Sequence, residues 1–178
     1  MDKRTGFTAK DVLNEYSEKG LREIFRNYGE INNAGSLAKV LVRLRATENI
    51  ENVRQLKSAL EPFAKKGKEN KFFAQVFQAL RIEVNDELAA LKELLQQSAS
   101  AIKKGGRLAV ISYHSLEDRL VKRFIESGKF EGDVEKDFYG NPIREFIAIN
   151  RKPILPSKEE LLKNSRARSA KLRIAEKL

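Results

Sequence analysis

The sequence predicts an α/β chain in which a helical first part precedes a small sheet. Three observations predict it. Apolar residues recur at helical spacing, with no intervening strand pattern, from about residue 7 to 64. A second apolar stripe holds one helical phase from Phe73 to Ile102. Then Leu108, Ala109, Val110 and Ile111 form an unbroken apolar run, and two more extended segments follow at about 144–151 and 169–176.

Taken in order, Thr8 can cap a helix carrying Val12, Leu13 and Tyr16. Ser17 caps a second, whose Leu21, Ile24, Phe25 and Tyr28 fall on one face, and Gly29 ends it or sits in its last turn. A third turns Leu37, Val40, Leu41 and Leu44 inward and Lys39, Arg43 and Arg45 mostly outward. A fourth presents Val53, Leu56 and Leu60 before Pro62 stops it. Its chemistry looks poor: it has no histidine, no phosphate loop and no carboxylate pair with an obvious task. Lys65 to Asn70 is a polar joint. The long stripe after it fits one helix, or two broken near Asn85-Asp86; Arg81 within it is open to a structural ion pair or a phosphate contact.

Gly105-Gly106 releases that helix. The run Leu108 to Ile111 reads as a strand buried on both faces, as in a parallel sheet, so both Leu108 and Ile111 are expected inside. Ser115 is expected to cap the next helix, with Glu117 and Asp118 in its first turn. Ser112, Tyr113 and His114 then stand at the carboxyl end of the strand, the edge where open α/β sheets bind ligands. Ser127-Gly128 breaks that helix. Gly140-Asn141-Pro142 marks a turn between two extended segments with two-sided burial in the second. Pro153 and Pro156 make a stiff connector, Ser157 and Glu160 a capping box, and Ala170 to Ala175 alternates as a last strand.

With 178 residues, 41% of them hydrophobic, the chain can build one domain or a domain plus a small subdomain. The absence of cysteine excludes disulfides and thiolate metal sites, and no metal site is expected. No stretch approaches the roughly 18 apolar residues of a membrane span and no signal-peptide core is present, so a cytoplasmic protein without a membrane partner is expected. The formal charge is +10, and from Arg151 to Leu178 nine Lys or Arg face three Glu, a net of +6. Such a tail points to a phosphate backbone, with a solvated basic face as the plain alternative.

Residues 105–124, GGRLAVISYHSLEDRLVKRF, resemble the signature of the MraW/RsmH family of SAM-dependent methyltransferases, which modify the N4 of a cytosine in 16S ribosomal RNA. TAKDVLNEYSEKGLREIFRNYGE (8–30), FQALRIEVNDEL (77–88) and RKPILPSKEELLKNSRARSAKLRIAEK (151–177) are similar to that family's other stretches, in order and spacing. The resemblance implies the C-terminal half of a class I (Rossmann-like) methyltransferase sheet, its last strand antiparallel to its neighbours, preceded by an all-α insert subdomain. The division implied is 1–68 for the insert and 69–178 for the C-terminal part of the methyltransferase domain. S-adenosyl-L-methionine is the implied cofactor and 16S rRNA of the small ribosomal subunit the implied partner; DNA is not expected, and a homodimer stays open. The family's first half, with its glycine-rich SAM loop, has no counterpart here, and Met1-Asp2 looks like the close of an upstream motif. No cofactor-binding residue is therefore assigned, and the chain alone is expected to be inactive and not to bind SAM.

On this resemblance Ser112, Tyr113 and His114 are the substrate-side wall of the active site, with Tyr113 placed to stack on a base. Arg151, Lys152, Arg166, Arg168, Lys171 and Arg173 are the candidate RNA contacts. The alternative is a non-catalytic RNA-binding module with the same sheet edge and basic tail; a DNA-binding helical protein is weaker, since no recognition helix is specified.

Overall fold

The computed structural model describes residues 6–178, so the reading of Met1-Asp2 lies outside the described residues. Contacts divide the chain into two units, Met1–Glu87 and Leu88–Leu178. The polar joint is present as a turn ahead of the fifth helix, while the division by contact falls one helix later.

The first unit is helical because its starts are capped and its apolar stripes meet. It comprises α1 (Ala9–Glu15), α2 (Glu18–Asn27), α3 (Ala34–Arg45), α4 (Val53–Leu60) and α5 (Glu69–Asn85). Thr8 with Asp11, and Asn52 with Gln55, form reciprocal capping boxes; the Ser17 hydroxyl accepts from the Gly20 N–H at 3.1 Å. Val12, Leu21, Phe25, Leu37, Leu41, Leu60 and Val76 are fully buried in one core. The Tyr16 hydroxyl donates to Glu83 Oε1 at 2.7 Å, joining α1 to α5, and that bond with burial pushes the phenol up to about 12. At Gly29 an added Cβ would lie 2.7 Å from the Phe25 carbonyl oxygen, so glycine is required where α2 turns away.

Two expectations for this unit change. Val53 is 56% exposed and outside the core. Arg45 turns back, its Nη1 donating to the Leu13 carbonyl at 2.8 Å. The long stripe is two helices, separated at Asp86 in the left-handed conformation (φ 48°). Arg81 makes a bidentate ion pair with Glu87 at 2.8 and 3.0 Å, the structural pairing that is one of its two expected roles.

The second unit is the mixed α/β part, with α6 (Glu87–Ala101, all but its first residue in this unit), β1 (Arg107–Ser112), α7 (Ser115–Ser127), β2 (Phe146–Ala148), α8 (Lys158–Lys163) and β3 (Lys171–Lys177). The sheet order is β1-β3-β2, and β3 is antiparallel to both neighbours. Register places Leu108 opposite Ala175, Val110 opposite Arg173 and Phe146 opposite Lys177 on one face. Leu108, Val110, Phe146 and Ala175 on that face pack in one cluster with Val121 and Phe124 of α7 and Leu95 of α6.

The opposite face carries Ala109, Ile111, Ile147, Leu172 and Ile174, and is covered only in part, where the 153–156 connector comes against Leu172: Ile111 is 58% exposed and Ile147 42%. Two-sided burial of β1 and of the 144–151 segment is thus corrected to one-sided burial. β1 has an antiparallel neighbour on one edge and no strand on the other among the described residues. The 144–151 strand is shorter than expected, three residues. Gly128 closes α7 at φ +70° where an added Cβ would meet the Ile143 carbonyl at 3.1 Å. No helix among the described residues is long and apolar enough to cross a membrane.

Candidate functional site

The turn from β1 into α7 is built by His114. Its backbone is extended (φ −136°, ψ 165°) and its imidazole Nδ1 accepts from the Glu117 N–H at 3.3 Å. Glu117 Oε2 accepts in return from the Tyr113 and His114 N–H groups at 2.8 and 3.3 Å, so histidine stands in the capping position usually held by Ser, Thr, Asp or Asn. The expected cap, Ser115, is the first helical residue instead. Burial pushes the Glu117 carboxyl up, but the bonds from His114 and the Tyr113 backbone outweigh it and hold the group below its ordinary value.

Because Nδ1 accepts, the neutral ring carries its hydrogen on Nε2. The His114 side chain is 7% exposed, and its Nε2 is buried without a hydrogen-bond partner; Glu117 Oε1 lies 3.2 Å away without the required alignment.

The three residues expected to form one wall point in different directions. Ser112 is buried, on the face that meets α7, its hydroxyl donating weakly to the Lys171 carbonyl at 3.4 Å. His114 is the helix cap. Tyr113 is 56% exposed and lines a cavity of about 290 Å³.

That cavity lies at the carboxyl end of β1. Ile111 and Tyr113 form one side, and Ile154, Leu155 and Pro156 of the connector another. Glu160 and Asn164 of the α8 region bring the polar edge. Asn164 Nδ2 donates to Glu160 Oε1 at 3.4 Å, and its Oδ1 accepts from the Arg166 N–H at 3.2 Å. Ser157 caps α8, but Glu160 spends its carboxylate on Asn164 rather than on a reciprocal box. The connector is held by Asn150: its Oδ1 accepts from the Ile174 N–H at 2.8 Å and its Nδ2 donates to the Lys152 carbonyl at 2.7 Å. Ile154 pairs with Leu172 in an antiparallel bridge.

Sequence reasoning missed this cavity, Glu160 and Asn164 as its edge, and Asn150 as its clamp. The usable signal was an apolar pair, Ile154-Leu155, held between two prolines inside a basic stretch.

The six candidate RNA contacts separate into two groups. Arg151 and Lys152 on the connector, and Arg166 and Arg168 on the 3₁₀ turn Ser165–Ser169, are exposed and make no ion pair among the described residues. They flank the cavity through Ile154 and Ala167. Arg173 is a correction: it is buried, with Nε and Nη2 on the two oxygens of Asp118 at 2.7 and 3.2 Å. Lys171 joins the same carboxylate at 3.4 Å. The strand's alternation turns Arg173 onto the α7 face, and Asp118 satisfies it there. Burial raises the Asp118 carboxyl, but the Arg173 bond and charge, with Lys171, bring it below its ordinary value.

In the helical unit, Lys39 and Arg43 are exposed. An apolar groove of about 250 Å³ there is lined by residues including Leu13, Ile50, Phe77 and Val84.

Comparison with known proteins adds the following. The model of the MraW methylase family matches residues 1–178. The chain is 55% identical over 177 residues to ribosomal RNA small subunit methyltransferase H of Amoebophilus asiaticus, covering 99% of this chain and 57% of that protein. The protein of the same name from Cytophaga hutchinsonii is 55% identical over 177 residues, with 99% and 59% covered. That of Parabacteroides distasonis is 52% identical over 178 residues, with 100% and 58% covered. The chain thus spans somewhat more than half the length of these relatives.

Proposed function

The chain belongs to the MraW methylase family, and from that premise we propose that it serves a SAM-dependent methyltransferase acting on the N4 of a cytosine in 16S rRNA of the small ribosomal subunit. The match over the whole chain carries this reading. In it, the sheet is the C-terminal half of a class I methyltransferase sheet, with the antiparallel β3 between β1 and β2 as support. Residues 1–68 serve as the insert and 69–178 as the C-terminal part of the catalytic domain.

S-adenosyl-L-methionine would supply the methyl group. The residues described do not fit it: the tight strand-to-helix turn at Ser112 to Ser115 contains no glycine, Glu117 is spent on the helix cap and Asp118 on Arg173. No step is therefore assigned through the donor in this chain. What these residues do is bind and orient the RNA. Arg151, Lys152, Arg166 and Arg168 hold phosphates by displacing counterions. Tyr113 offers an exposed ring on which an unstacked base can rest. His114 fixes the turn that presents Tyr113. Orientation of two bound substrates supplies much of the barrier reduction in a transfer of this kind.

The test is methyl transfer from a radiolabelled donor to 16S rRNA, by this chain alone and by the chain joined to the portion of a relative that it does not match. The joined protein is expected to turn over, and Tyr113→Ala to reduce that turnover at unchanged melting temperature. No transfer by a folded joined protein would contradict the reading.

A further inference from the structure

The cavity at the end of β1 has more chemistry than a stacking surface needs. Its lining is largely apolar, with Ile111, Leu155 and Leu172 among it, and includes the half-exposed Tyr113. Its polar edge presents an acceptor beside a donor. Glu160 Oε1 takes one hydrogen from Asn164 at 3.4 Å, which leaves Oε2 to accept. Asn164 Nδ2 has a second N–H, and its Oδ1 is already occupied by the Arg166 backbone. The volume, about 290 Å³, accommodates a single nucleobase, and the unpaired Arg166 and Arg168 stand on either side of the wall residue Ala167.

We infer that this cavity is a nucleobase subsite for an unstacked base bearing an exocyclic amine beside a ring-nitrogen acceptor, the pattern of cytosine and adenine. The amine donates to Glu160 Oε2, and the ring nitrogen accepts from Asn164 Nδ2. A carboxylate accepting from the cytosine amine is a pairing that base recognition uses widely. Uracil presents the reverse order, a carbonyl toward Glu160 and an N–H toward Asn164, and is disfavoured. Arg151, Lys152, Arg166 and Arg168 bind the phosphates on either side. This assignment rests on the RNA-methyltransferase reading above and adds which side chains read the base.

The test titrates the chain with fluorescently labelled pentacytidylate and pentauridylate at fixed salt and follows anisotropy. Pentacytidylate is expected to bind about tenfold more tightly, in line with the discrimination of a two-bond base contact. Glu160→Gln should bring the two affinities to within about twofold, because the amide also offers a donor to uracil. Leu155→Asp, at a position 63% exposed, should weaken both oligonucleotides while the melting temperature stays that of the parent. Equal affinities in the parent, with no effect of either variant, would overturn the subsite and leave the RNA reading standing. Absence of binding by either oligonucleotide would overturn both.

Discussion

In the proposed reading His114 serves folding and function together, as the cap of the turn that presents Tyr113. Its imidazole caps α7, so His114→Ala removes a side-chain cap and is expected to cost about 1 kcal/mol. Asparagine restores a capping acceptor without an imidazole, so His114→Asn should recover most of that stability in urea titrations. Asp118 is the second such residue. Its folded carboxyl lies below the ordinary 3.8, so its contribution is complete above that value and is lost as pH falls through the folded value. Asp118→Asn should therefore be less stable than the parent at neutral pH, and the gap should narrow below about pH 3.8. Urea unfolding at both pH values checks this; a gap that stays constant would mean that the Arg173 pair contributes nothing through charge. Arg173→Met tests the other side: it leaves the Asp118 carboxylate with Lys171 alone, and should cost up to about 3 kcal/mol.

Among the elements, the one-sided sheet makes the clearest prediction. Leu95 of α6 is fully buried against the sheet's covered face, and Leu95→Ala should cost about 2–5 kcal/mol. Ile111, on the open face at 58% exposure, should cost no more than about 0.5 kcal/mol as alanine. Chemical denaturation of the two variants decides it; equal losses would show that the outer face of β1 is covered in solution. The contrast explains how legible the sequence was. Helices and caps could be read because they depend on local signals: Thr8 and Ser17 cap where expected, while the stripe from Phe73 to Ile102 fits one helix as well as two and the break at Asp86 is one of those alternatives. An unbroken apolar run such as Leu108 to Ile111 states that a strand is there, but not which faces are covered, since that depends on distant partners. The site was half legible for the same reason. The turn after β1 followed from the strand and helix beside it. The cavity did not, because Asn150 and the Ile154–Leu172 bridge fold the connector against β3 through contacts about 20 residues apart in sequence.

For the whole molecule, the +6 stretch from Arg151 to Leu178 is not a uniform basic surface. Lys163, Lys171, Arg173 and Lys177 are held by Glu159, Asp118 and Glu145. Arg151, Lys152, Lys158, Arg166 and Arg168 are exposed and make no ion pair among the described residues, and four of them, Arg151, Lys152, Arg166 and Arg168, are proposed to meet phosphates at the end of β1. Charge location, more than total charge, carries the claim that this edge is an RNA interface. The measurement that tests it most directly is the slope of log affinity against log salt for a single-stranded RNA oligonucleotide. It is compared between the parent chain and a variant with those four residues replaced by alanine. At about 0.7 per phosphate contact on a single strand, the slope should become shallower by up to about 3, while Lys163→Ala with Lys177→Ala should leave it within one contact of the parent. An unchanged slope in the fourfold variant, with its fold intact by circular dichroism, would contradict the account and return these residues to a solvated face.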